Sequence, residues 1–315
     1  MSMMEPETKT VVGKKTKRLQ LIHVPFGLGA GRAGTELGPG DILHAGLVRQ
    51  IRSLGHELAD DVWVSCADKP AAAPAPGEKL KHFAEVVEMS RNVCTEVSAA
   101  VEAGAFPLVL GGDHSIAIGT LAGLTAHYPS LGVIWIDAHT DMNTEATTHS
   151  GNMHGMSLAI ALGKLRSVSF ADILGAGPSI KKENIVIVAA RDIDPGEREL
   201  IRKEGIACFT MHDIDRLGIH AVMEKALAIA GSGTDGVHLS FDIDSVDPIE
   251  APGVGTPVRG GLSYREAHFA LELLAESGLV TSMEVVEVNS LLDQSGRTAR
   301  LAVELIASML GKRII

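Results

Sequence analysis

The 315-residue chain carries 28 basic against 39 acidic residues, a formal charge of −11, which argues against a nucleic-acid partner because that role calls for a basic face. Apolar residues make up 45% and charged residues 21%, the balance of a soluble globular protein, while aromatics at 3% leave the core to aliphatic side chains and Met. Three scattered cysteines, Cys66, Cys94 and Cys208, form no CxxC pair and fit a reducing, cytoplasmic setting; the N-terminus lacks a secretory apolar region and no apolar run is long enough to span a membrane.

Residues 1–17 read as a polar leader and 18–315 as a single domain. LQLIHV (19–24) predicts a first strand, followed by a glycine-rich loop over 26–40. GAGRAG (29–34) has the spacing of a dinucleotide fingerprint, but TELGPG follows where an apolar helix should open, so the match is discounted. DVWVSCA (61–67) predicts a short strand, DKPAAAPAPGE (68–78) a loop, and helical periodicity runs from about Lys79 to Gly104. Thereafter apolar strands alternate with helices: FPLVL (106–110), LGVIWI (131–136), ENIVIVAA (183–190), ACFTM (207–211) with a helix to about Gly231, GVHLSF (236–241) and LVTSMEVVEV (279–288), then a last helix over about Thr298 to Leu310. Such alternation predicts an α/β protein with a parallel sheet covered on both faces. The polar elbows GGDHS, DAHTD, RDID, DID and the region of Glu287 all follow strands, at the edge where parallel sheets bind ligands.

His114, Asp137, His139, Asp141, Asp242 and Asp244 are the candidate metal ligands. In extended chain, Asp137, His139 and Asp141 share a side, as do Asp242 and Asp244. Burying these carboxylates together without a cation would be costly. Four carboxylates and two imidazoles exceed one tetrahedral zinc and suit two divalent ions about 3.5–4 Å apart, bridged by carboxylates. An oxygen-rich set without thiolate favours manganese on ligand softness, although the affinity series runs the other way. Two such ions generate hydroxide near neutral pH, which points to hydrolysis. Ser115 beside His114 suggests a serine nucleophile instead, but no G-x-S-x-G elbow is present.

GGDHS, DAHTD and SFDIDSVDP together resemble the ureohydrolase family of arginases, agmatinases and relatives, over about Leu19 to Leu310; DAHTDMNTEATTHSGNMHGM and GTPVRGGLSYRE look like the arginase branch. The resemblance implies a three-layer α/β/α sandwich around an eight-stranded parallel sheet, two Mn2+ per subunit, and hydrolysis of L-arginine to L-ornithine and urea by a metal-bridging hydroxide. It implies that His114, Asp137, Asp141 and Asp242 hold one ion and His139, Asp137, Asp242 and Asp244 the other. Asp141 would accept the hydroxide proton, His154 would shuttle protons, and Glu287 would face the guanidinium, whose planar fork pairs with a carboxylate. Glu284, three residues from Glu287, is expected to face the opposite side of its strand without a role.

By the same resemblance Asn143, Ser150 and Asn152, with Thr148 assisting, would bind the α-carboxylate, Asp194 the α-amino group with Asp192 in support, and Thr256 would lie near the guanidinium. Arg32 falls at the site rim, and His149 has no assigned role. Agmatine, which lacks the α-carboxylate, or a guanidino acid other than arginine is the alternative substrate. A single-zinc deacetylase-like enzyme and a metal-dependent regulatory protein are the other classes weighed, the latter disfavoured because neither His154 nor Glu287 is needed to bind metal. A homo-oligomer, trimer or hexamer, is expected, with no membrane partner.

Overall fold

The computed structural model describes residues 16–69, 80–166 and 180–314. The expected leader and Pro/Ala loop fall almost wholly outside them. The described strands are β1 (Arg18–Val24), β2 (Glu57–Leu58), β3 (Val62–Trp63), β4 (Phe106–Gly111), β5 (Leu131–Ile136), β6 (Ile185–Ala190), β7 (Ala207–Thr210), β8 (Gly236–Asp242) and β9 (Val280–Val286). They form one sheet in the order β2-β1-β4-β9-β8-β5-β6-β7, with β3 pairing to β1 off this path, and every pairing is parallel. This is the expected parallel sheet; β3 is the expected 61–67 strand, shortened, and the two-residue β2 is the addition.

Alternation along each strand explains the layers. Leu108, Leu110, Ile134, Ile136, Leu239 and Phe241 face one core; Val109, Val133, Trp135 and Ile187 face the other. Because both faces are covered, β4, β5, β6 and β8 are buried along their whole length. Helices α1 (Gly38–His44), α2 (Leu47–Ser53), α3 (Phe83–Glu102), α4 (Ala117–Thr125), α5 (Ser157–Ala161), α6 (Pro195–Glu204), α7 (Met211–Leu217), α8 (Ile219–Ala230), α9 (Tyr264–Ser277) and α10 (Arg297–Met309) make up the outer layers.

Several elements depart from the periodicity reading. The single helix expected after β7 is two, α7 and α8, separated at Gly218 (φ 80°). Only Val62 and Trp63 of the 61–67 segment pair with the sheet. Helix α9 is an addition to the expected elements, although Ser263 and Glu266 form the reciprocal cap that marks a helix start.

Candidate active site

The chemistry-bearing elbows lie at the carboxyl ends of β4, β9, β8 and β5, four consecutive strands, with the RDID elbow following the next strand, β6. GGDHS can turn there because Gly112 lacks a side chain: a Cβ would come 1.7 Å from the carbonyl oxygen of Phe26, on the loop after β1. Asp113 accepts the backbone N–H groups of Gly29 (2.7 Å) and Ser115 (2.9 Å) and the Ser115 hydroxyl, so it ties the glycine-rich loop to this elbow. Ser115 is thereby a structural donor, fully buried and lining neither cavity over the site.

Nδ1 of His114 faces three carboxylate oxygens, Asp141 Oδ2 at 3.0 Å and Asp137 Oδ2 and Asp242 Oδ2 at 3.2 Å. Nevertheless His114 Nδ1 and Asp141 Oδ2 are buried without a hydrogen-bond partner. Nδ1 of His139 lies 3.4 Å from Asp137 Oδ1 and 3.2 Å from Asp244 Oδ2. Among the described residues two groups have ligand atoms close enough to hold an ion, His114–Asp137–Asp242 and Asp137–His139–Asp244, and they share Asp137. Asp242 joins only the first group, and Asp141 joins through its contact with His114. The six expected ligands therefore come together, and the donor set fits a pair of hard or borderline divalent ions sharing a carboxylate.

The route to that convergence differs from the strand-alternation expectation. β5 ends at Ile136, and Asp141 has φ 50°, a left-handed conformation that no continuing strand adopts. The two-residue spacing works through turns instead: the Asp137 side chain accepts the His139 N–H at 2.7 Å, and Asp242 accepts the Asp244 N–H at 2.7 Å. Each first aspartate thus folds its own elbow so that the next ligand returns to the same spot.

Electrostatics reflect the crowding. Burial, followed by the charges of Asp244 and Asp137, pushes Asp242 well above the usual carboxylate range, and burial with the Asp137 charge lifts Asp141 to about 7. Burial pulls the His154 imidazole down, but the Glu287 carboxylate outweighs it and holds the ring up at about 9. Like charges packed this closely need a compensating cation.

Trp135, unassigned from sequence, stacks on the His114 ring at 4.1 Å and 8°, and its Nε1–H donates to Asp137 Oδ2 at 2.9 Å. On the far side, His114 Nε2 meets the Ser240 hydroxyl at 2.8 Å, which donates to Glu284 Oε1 at 2.7 Å. Glu284 therefore has a place in the site, contrary to expectation: fully buried, it supports His114 through Ser240 and lies 3.4 Å from His238. Glu197 is likewise buried and escapes the sequence reading; it accepts from the Thr140 hydroxyl and the N–H groups of Met142 and Asp194. Its signal is the Asp194/Glu197 reciprocal cap of α6.

Two adjoining cavities of about 200 and 490 Å3 open over the cluster. His114, His139, Asp141, Asn143, Ser150, His154, Asp192, Asp194, Asp242 and Thr256 line the first; Arg32, Asn152 and Glu287 line the second. Glu287 (φ 66°) accepts from His114 N–H and His154 Nδ1, both at 2.9 Å, through Oε1, leaving Oε2 buried and unpartnered. Asn143 donates one amide hydrogen to Asp194 Oδ2 (2.9 Å), and the Thr256 hydroxyl donates to Asp244 Oδ2 (3.0 Å). Thr148 lines neither cavity; its hydroxyl oxygen accepts the Gly151 N–H and shapes the turn. Arg191 clamps the elbow after β8, donating to the carbonyls of Asp244, Ser245 and Val258.

The arginase family model matches residues 17–311. The chain belongs to the arginase family. An arginase of Brevibacillus brevis is 48% identical over 95% of this chain and 99% of its own length, and one of Bacillus caldovelox is 46% identical over 95% and 100%. The crystal structure of the Bacillus cereus arginase superposes with a TM-score of 0.89 at 50% identity, covering 95% of this chain and 100% of that one. For the arginase of Bacillus caldovelox the TM-score is 0.91 at 45% identity, with the same coverage. The fold is thus that of the arginase family, and the likeness spans the whole described sheet and all its elbows.

Proposed function

We infer that the chain is an arginase, a hydrolase that converts L-arginine and water to L-ornithine and urea. The observation that carries this reading is Glu287 Oε2, a buried carboxylate oxygen with no partner, in a residue that lines the cavity beside the twin His/Asp groups. A charged N–H donor such as a guanidinium is what such an oxygen can accept. Near-full-length likeness to curated arginases supports the same conclusion, and none of it favours agmatinase.

His114, Asp137, Asp141 and Asp242 would hold one ion, and His139, Asp137, Asp242 and Asp244 the other; manganese suits this oxygen-rich set. When bound, the pair supplies a nucleophile at neutral pH and offsets the buried carboxylate charge. The protein's own groups do the rest. Glu287 orients the guanidinium, and Asp141 takes up the proton released on attack at its carbon. His154, held in place by Glu287, delivers a proton to the leaving amine. Asp194 would pair with the α-ammonium group. Asn143, Ser150 and Asn152 would donate to the α-carboxylate, with Thr148 fixing the turn that presents them. Thr256 steadies Asp244 near the guanidinium.

The same reading takes residues 18–315 as one catalytic domain following the polar 1–17 leader, in a cytoplasmic homo-oligomer, trimer or hexamer. Among the described residues no helix is long and apolar enough to cross a membrane. Urea release from L-arginine and from agmatine, measured side by side on Mn2+-loaded protein with metal analysis of the same sample, tests it. Preference for agmatine, or a single ion per chain at saturation, would overturn it.

A further inference from the structure

Beyond the proposed metal ligands Asp141 and Asp242, the lining of the 200 Å3 space carries three further carboxylates, Asp192, Asp194 and Glu197. That field favours a guanidinium and an α-ammonium group but opposes an α-carboxylate, which therefore needs local compensation. Hydroxyls and amides of the 143–152 loop supply dipoles only.

Lys81 supplies the charge. It precedes α3 in a turn whose next residue, His82, has φ 53°, and its backbone N–H donates to the Gly151 carbonyl at 2.9 Å. Its Nζ donates to Asn152 Oδ1 at 3.2 Å. The side chain is half-buried, and among the described residues no carboxylate pairs with it. An ammonium group kept close to a binding loop, with no counter-ion among the described residues, is placed to meet an anion from outside the chain.

The contact does a second thing. An Asn can offer a carboxylate either its repelling C=O or its donating NH2, and its neighbours decide which. With Oδ1 taken by Lys81, the donor edge of Asn152 is left free; Nδ2 lies toward Gly31, where a Cβ would approach it to 2.8 Å. Gly31 and Asn152 both line the 490 Å3 cavity.

We propose that Lys81 is a specificity-determining residue, which gives the site its preference for substrates bearing an α-carboxylate by placing a cation beside the loop and by locking Asn152 with its NH2 outward. The proposal rests on the arginase reading and names the discriminating group within it. Lys81 is a positioning and electrostatic residue, remote from the reacting carbon, so its effect should fall on binding.

The experiment compares wild type with Lys81→Met, Lys81→Gln and Lys81→Arg in two assays: steady-state urea release from L-arginine and agmatine, and calorimetric binding of L-ornithine and its decarboxylated counterpart 1,4-diaminobutane to Mn2+-loaded protein. Loss of a charge-assisted contact predicts a rise of about tenfold or more in KM for L-arginine and in Kd for L-ornithine in the Met variant, with kcat nearly constant. Agmatine and diaminobutane should respond little. Lys81→Arg should restore most of the loss, and Lys81→Gln, which keeps a donor without charge, should fall between. Equal losses on both ligand types, or no loss on either, would overturn the proposal. If the wild type released no urea from L-arginine, the arginase reading would fall, while the ornithine comparison would still decide the role of Lys81.

Discussion

His154 donates through Nδ1 to Glu287 Oε1 at 2.9 Å, so the candidate proton carrier and the candidate guanidinium anchor are one hydrogen-bonded unit. Glu287 sits at φ 66°, just past the strand that precedes it, and that departure is what turns its carboxylate toward His154 and His114. A non-glycine residue in this region is strained, and strain of this kind persists where function holds it.

Glu287→Gln keeps the shape and loses the charge. We expect metal content to stay at the wild-type value while kcat/KM for L-arginine falls about a hundredfold, the scale of a lost charged hydrogen bond to a buried cation. Metal analysis and urea kinetics on one sample check both halves; an unchanged kcat/KM would remove Glu287 from the substrate site.

The two imidazoles differ in access: the His139 side chain is 24% exposed and that of His114 only 1%. His139→Ala should therefore give a folded protein that retains about one ion per chain and loses at least about a hundredfold in turnover, since an ion in such a site supplies several kcal/mol of transition-state stabilisation. Plasma emission analysis after dialysis gives the stoichiometry. Two tightly held ions in the variant would contradict the assignment.

Asp141 combines φ 50° with a carboxylate that burial and Asp137 push up to about 7. Asparagine tolerates the left-handed region better than most residues and adds no charge. Asp141→Asn is expected to match or exceed the wild type in apo-protein melting temperature, yet to lose urea release by about a hundredfold or more as a proton acceptor and ligand disappear. A variant that is both active and less stable would contradict both roles.

Away from the site, His268 is buried, with Nδ1 against the Ser308 hydroxyl at 2.8 Å and its ring tilted on Tyr264 at 4.3 Å. Burial lowers its pKa below the ordinary histidine value. The folded state thus favours the neutral ring, so the stability it contributes is full above about pH 6.5 and is lost as pH falls through the depressed folded value. Denaturant melts of wild type and His268→Gln between pH 7.5 and 5 should show a shallower acid loss in the variant; identical slopes would refute the linkage.

Much of the sheet is legible in the sequence because buried parallel strands write themselves as apolar runs such as LGVIWI and FPLVL. Much of the site is legible because aspartates and histidines gathered after such runs are too costly to bury without a cation. What escapes depends on where chains cross. Nothing in the spacing puts Ser240 between His114 and Glu284, or Lys81 against Asn152, since both contacts join segments far apart in sequence. Strand alternation anticipates which residues come together but through a different geometry, because side-chain-capped turns bring Asp137 and His139 together as effectively as a strand would. Helices α1 and α2 hide behind glycine and proline in GPGDILHAG.

The last strand to be made, β9, is slotted between β4 and β8. Until Val280–Val286 arrives, a growing polypeptide can pair β4 only with β1, and β8 only with β5, so it holds two half-sheets with raw hydrogen-bonding borders facing each other. His114 follows β4 on one half, and Asp137 follows β5 on the other. A polypeptide cut short before this gap closes would therefore be both sticky and inert.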